Sequence, residues 1–124
     1  MTTYLVQSND STGLDPDKPM FPISVVADIL QVHQRTLRIY DDENILVPQR
    51  SPKNRRLYSL DDIDKCRFVQ YLNKTLNINL TGVKIILYLL AQIKVKPIEY
   101  LDYINKVGEK MKFYTNYLEV QSKN

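Results

Sequence analysis

The chain is poor in the residues from which most catalytic and metal sites are built. Its 124 residues hold one cysteine, one histidine and three glycines. A single cysteine, Cys66, excludes an internal disulfide. It falls in an apolar stripe, where a small core residue is the better reading than a sensor thiol. The lone His33 has no cysteine or acid at ligand spacing, so neither a metal nor any other cofactor is expected, and the turn or the cap of a helix suits it better. The glycines, at positions 13, 82 and 108, are too scattered to form a phosphate-cradling loop. No nucleophile stands in an acid–base arrangement, and the adjacent carboxylates Asp41, Asp42 and Glu43 would diverge on a helix, so an enzyme is not expected. No apolar run approaches the roughly 18–20 residues that span a bilayer. The longest, VKIILYLLAQI, is interrupted by Lys84 and reads as a buried helix. With no secretory signal at the start, the expectation is a cytoplasmic protein with no membrane partner.

What is present suits one soluble domain: 44% hydrophobic and 25% charged residues, with a net charge of +3. That excess permits an acidic partner without requiring one. Residues 1–22, rich in Ser, Asp, Pro and Gly and without periodicity, read as a flexible arm, with YLV at 4–6 as a short extended piece.

The folded part is expected over residues 23–92. Ser24 is a plausible cap for a short helix carrying VVADIL, with Val26, Ala27 and Leu30 on one side. QVH makes a tight link, and a second helix is expected from about Gln34 to Glu43, with Leu37 and Tyr40 on its inner face. Two short helices joined this way form a helix-turn-helix, whose second member commonly enters the DNA major groove. Leu46 and Val47, then Leu57 and Tyr58, suit two short strands around SPKN, in which Pro fixes φ and Asn tolerates a left-handed backbone. Such a hairpin carries Arg50, Lys53, Arg55 and Arg56. It is either a DNA-binding wing or a charge-protected sheet edge. Ser59 caps a third helix with Asp61, Asp62 and Asp64 in its first turns and Ile63, Cys66, Val69 and Leu72 as its stripe. Asn79 caps a fourth, with Val83, Ile86, Leu87 and Leu90 inward and Gly82 hinting at close packing.

The second helix has its charges reversed. Arg35 and Arg38 lie near its positive end and Asp41, Asp42 and Glu43 near its negative end, against the helix dipole. A polyanion in front of the N-terminus would make the arginines useful. The acids would then hold that end off the backbone.

Pro97 fits the first position of a last helix over 97–120. Tyr100, Ile104, Val107, Met111, Tyr114 and Leu118 are spaced 4, 3, 4, 3, 4, a heptad-like seam. It can pair two chains or pack on its own domain.

The segments ISVVADILQVHQRTLRIYDDENIL, NRRLYSLDDIDKCRFVQYL and NINLTGVKIIL resemble the MerR family of transcription regulators, over about residues 23 to 90. Within it the look is nearest to HspR-type heat-shock repressors, with His33 at the start of the recognition helix and Gly82 in NLTGV. The resemblance implies a mainly α fold: a winged helix-turn-helix domain with a small β-hairpin wing and a C-terminal dimerisation helix. It implies a homodimer joined by an antiparallel coiled coil along the Tyr100–Leu118 seam, binding double-stranded DNA at an inverted-repeat operator, with repression as the role. By match to the motifs, Arg38 and Tyr40 of the recognition helix and Arg56 and Tyr58 of the wing lie at the DNA backbone. Tyr58 has core support of the wing as its other reading. His33, Gln34, Arg35 and Thr36 are candidates for base or phosphate contact, and Lys53 and Arg55 complete the wing. A chaperone or other protein co-regulator is the further partner implied, and nucleoid association follows when DNA is bound. Three positions depart from the family pattern: Gln34 for the usual proline, Ile39 for the usual Tyr or Gln, and three acids for one. The alternative reading is a protein-interaction adaptor that uses the winged-helix scaffold and the last helix.

Overall fold

A computed structural model describes residues 15–122, with side chains to residue 112. The elements follow the chain as β1 (Phe21–Pro22), α1 (Ile23–Leu30), α2 (Gln34–Asp42), β2 (Gln49–Arg50), β3 (Arg56–Tyr58), α3 (Leu60–Gln70), a π-helical turn (Tyr71–Thr75), α4 (Leu80–Gln92), a 3-10 turn (Pro97–Glu99) and α5 (Tyr100–Ser122). The three strands form one antiparallel sheet in the order β1-β3-β2.

The helix-turn-helix forms as expected. Gln31 turns the chain after α1 in the left-handed region, at φ 56°. Val26 and Ala27 of α1 and Leu37 and Tyr40 of α2 are buried, which fixes the crossing of the two helices. The cap of α1 differs from expectation. Pro22, not Ser24, holds the N-cap position, because the chain enters the helix directly from β1.

Residues 15–22 are therefore not an arm. Phe21 pairs with Tyr58 and Pro22 with Leu57, the Met20 N–H donates to the Tyr58 carbonyl at 3.0 Å, and the Asp61 N–H donates to the Pro16 carbonyl at 2.9 Å. A two-stranded hairpin is marginal in water, and this third strand gives the wing a base. The extended piece expected at 4–6 lies outside the described residues.

The outer wing strand is Gln49–Arg50 rather than Leu46–Val47. Leu46 is drawn into the core with Ile45, while Val47 is left 57% exposed. The SPKN turn is as expected: the Asn54 N–H donates to the Ser51 carbonyl at 2.8 Å, and Asn54 takes φ 65°.

Ser59 and Asp62 form a reciprocal capping box on α3, with both bonds at 3.0 Å. The stripe Ile63, Cys66, Val69 and Leu72 is buried with Phe68 at the centre of the molecule. Burial pushes the Cys66 thiol up to about 12, so it stays protonated and packs as an apolar group. The helical run does not continue evenly to Leu72. It widens into the π-helical turn before α4.

Asn79 caps α4 by accepting from the Gly82 N–H at 2.8 Å. Val83, Leu87 and Leu90 are buried and Ile86 is half-buried. A Cβ on Gly82 would lie 2.7 Å from Ile78 Cγ2, the methyl on a β-branched carbon whose χ1 is stiff. Alanine should gain up to about 1 kcal/mol of helix propensity and lose about 1–3 kcal/mol to overpacking. Gly82→Ala is thus expected to lower the melting temperature. A rise would mean that Ile78 yields freely.

The last helix begins at Tyr100, after the 3-10 turn that Pro97 opens. Its start belongs to the domain core. Tyr100 is 6% exposed and its ring centroid lies 5.0 Å from that of Phe68. Among the described residues, no helix is long and apolar enough to cross a membrane.

Candidate nucleic-acid interface

The end of α2 is joined to the wing through Asp41, and the cations of the two elements separate into two groups. The first faces solvent. Arg35, Arg38, Lys53 and Arg55 are exposed. The Arg38 Nη2 donates to Gln34 Oε1 at 3.2 Å, one turn back on the same helix face. No acid holds it, so the ion pair that would have made Arg38 structural is not formed among the described residues. His33 sits at the N-cap of α2 in extended conformation without a side-chain cap bond, and it is exposed, while Gln34 and Thr36 are half-buried beside it. Helix α2 has no acid in its first turn and no base in its last, so its ends stay uncompensated as the sequence indicated.

The second group is engaged within the protein. Arg56 is only 19% exposed, and its Nε donates to Asp41 Oδ2 at 2.9 Å. Arg50 Nη2 reaches the same oxygen at 3.3 Å. Glu43 pairs with Lys84 of α4 at 3.2 Å. Two of the three acids at the end of α2 therefore brace the fold, and the view that all three serve to hold DNA off is corrected to Asp42, which is exposed. Arg56 likewise moves from the expected phosphate contacts to the inner bracing of the wing.

Both tyrosines of the matched motifs are core residues. Tyr40 is 2% exposed and its hydroxyl accepts from Gln70 Nε2 on α3. Tyr58 is fully buried and, among the described residues, its hydroxyl has no hydrogen-bond partner. Burial raises each phenol to about 12. Neither side chain can reach a ligand on the surface, so for Tyr58 the core reading is the right one and for Tyr40 the backbone contact is withdrawn.

Spacing gave no sign of Asp41 as a partner of the wing or of Gln70 as a partner of Tyr40. The pairs are separated by 15 and 30 residues in the chain. No local period connects residues that far apart, and the only hint was an acid run where a helix disfavours it.

A helix-turn-helix whose second helix carries exposed cations, joined to a basic β-hairpin and packed on a helical core, defines a winged helix-turn-helix protein. Residues 21–90 match the family model described as MerR HTH family regulatory protein. The chain belongs to the MerR family. It is 38% identical over 69 residues to the HTH-type transcriptional regulator GlnR of Bacillus anthracis, covering 56% of this chain and 53% of the relative. It is 40% identical over 80 residues to the protein named heat shock protein HspR of Streptomyces coelicolor, covering 64% and 53%. The chain thus spans about half the length of the curated relatives it matches. Among solved structures it resembles a MerR-family transcriptional regulator from Bacillus cereus, with a TM-score of 0.52, 24% identity, and coverage of 80% of this chain and 72% of that one. It also resembles HiNmlR, a MerR family regulator lacking the sensor domain and bound to promoter DNA, with a TM-score of 0.56, 22% identity, and coverage of 80% and 75%. The fold expected from the sequence, mainly α with a winged helix-turn-helix, is the fold observed.

Proposed function

We propose that the protein is a DNA-binding transcription regulator that acts as a homodimer on an inverted-repeat operator, with repression as its role. The observation that carries this reading is the placement of Arg35 and Arg38. Both are exposed on α2 and neither is paired with an acid among the described residues; Arg35 lies in the first turn, against the helix dipole, and Arg38 one turn further on the same outer face. Folding gains nothing from that placement, whereas a phosphate backbone in front of the helix N-terminus is attracted by the arginines and the dipole together. Lys53 and Arg55 extend the same charge along the wing. HiNmlR, solved on promoter DNA, lends support to this reading through its shared fold.

The expected interface is narrower than the sequence motifs implied. His33, Gln34, Arg35, Thr36 and Arg38 of α2, with Lys53 and Arg55 of the wing, remain its members. A gel shift against random duplex pools, with sequencing of the bound fraction, tests the reading and yields the operator. Arg38→Ala should hold its melting temperature, because only the exposed bond to Gln34 is lost, yet bind DNA more weakly. Its slope of log K against log salt should flatten by about 1. Unfolding of the variant would remove the main support for this reading of α2.

A homodimer through α5 is proposed from the seam residues whose burial falls away along the described part of the helix. Tyr100 and Ile104 pack on the domain, Val107 is half-buried, and Met111 is 61% exposed. Tyr114 and Leu118 of the expected seam lie outside the described side chains. Tyr100 leaves the set of pairing residues, because Phe68 already covers its ring.

A second reading, as a protein-interaction adaptor or a regulator with a protein co-regulator such as a chaperone, is favoured by one surface. Ile85, Tyr88, Leu89 and Ile93 make an exposed apolar stripe along α4. Failure of the gel shift at every salt concentration would leave this reading in place of the first.

A further inference from the structure

The inner bracing of the wing has an asymmetry that simple bracing does not require. Asp41, whose side chain is 12% exposed, offers one oxygen, Oδ2, to two guanidiniums. Two cations on one carboxylate leave a surplus positive charge. The two partners differ. Arg56 is 19% exposed and bonds at 2.9 Å, while Arg50 is 42% exposed and bonds at 3.3 Å. Arg50 also donates through Nη1 to the Asn54 carbonyl at 3.2 Å, which keeps its guanidinium under the wing turn, beside Lys53 and Arg55. The covered bond ties β3 to the end of α2. The exposed, longer bond is of the kind that contributes little to stability. A phosphate oxygen is a strong, charge-assisted acceptor for a guanidinium, and the counterions condensed on the duplex are released to solution when the guanidinium binds.

We propose that Asp41 is a positioning residue that fixes the wing to the recognition helix through Arg56, and that Arg50 transfers from Asp41 to a phosphate of bound duplex DNA. This rests on the DNA-binding reading above. In the free protein Asp41 partly neutralises Arg50. On DNA, Arg56 holds the wing in place while Arg50 leaves, so a contact is gained without loosening the hairpin.

The test uses the full chain, the duplex recovered from the random pool and a random duplex of equal length. Arg50→Ala should melt as the wild type does, bind both duplexes more weakly, and show a log–log salt slope flattened by about 1. Arg50→Lys should restore the slope, since a point charge still meets the phosphate. Asp41→Asn, assayed below its own melting temperature, should lose affinity for the recovered duplex while holding or raising it for random DNA, because the wing is misplaced while Arg50 and Arg56 are freed of the carboxylate that neutralises them. If Arg50→Ala lowers the melting temperature and keeps the wild-type slope, Arg50 is only a brace and the transfer is overturned. If Asp41→Asn weakens both duplexes equally, its positioning role is overturned. Wild-type protein that binds neither duplex at low salt overturns the DNA-binding reading itself, an outcome distinct from the other two.

Discussion

Phe68→Ala is expected to remove about 3–5 kcal/mol of stability, the cost of emptying a fully buried aromatic site. Small domains are stable by only about 5–15 kcal/mol, so this one change should bring the protein close to unfolding at physiological temperature. The reason lies in where Phe68 sits. It is 0% exposed in α3, and its ring meets that of Tyr100 at 5.0 Å and 52°. It therefore fills the core and also seats the start of α5. No surface ion pair here approaches that effect; an exposed pair such as Lys106–Asp102 contributes about 0–1 kcal/mol. Urea unfolding followed by circular dichroism is the measurement. A loss below about 1.5 kcal/mol would mean the site collapses around the smaller side chain more readily than its packing implies.

The largest functional effect is expected from Met111→Lys. Met111 is 61% exposed, so a lysine there costs the isolated chain almost nothing in folding. A large consequence would therefore report a partner helix over Met111, as the proposed dimer requires. A charge in a helix–helix seam should turn dimers into monomers in light scattering. Loss of two-site engagement should then lower DNA affinity by about 10²–10⁴-fold, with the melting curve of the DNA-binding domain unchanged. Unchanged mass and unchanged affinity together would overturn the proposed pairing through α5. Helix α5 runs for 23 residues, and among its described side chains Tyr100 and Ile104 pack on the domain. A helix of that kind, with Leu101, Tyr103 and Met111 left exposed, needs a partner surface to be stable along its length.

The sequence by itself determined the helices and several of their ends. The caps Ser59 and Asn79, the SPKN turn with left-handed Asn54, the stripe from Ile63 to Leu72 and the inner face of α4 all form where local chemistry put them. Each depends on neighbours within a few positions, and a single chain records such relations directly. The same is true of the cations on the outer face of α2. The tertiary structure decided which polar groups stay free. Arg55 and Arg56 are adjacent in sequence, yet one faces solvent and the other is bound to Asp41, because Arg55 closes the exposed turn of the wing while Arg56 opens β3 beside the end of α2. Tyr40 and Tyr58 belong to polar-looking motifs but close the core, and Tyr100 begins a pairing seam but is claimed by Phe68. The strand at Phe21–Pro22 was hidden for the same reason. Its partner lies near Tyr58, far along the chain, and two residues carry no period of their own.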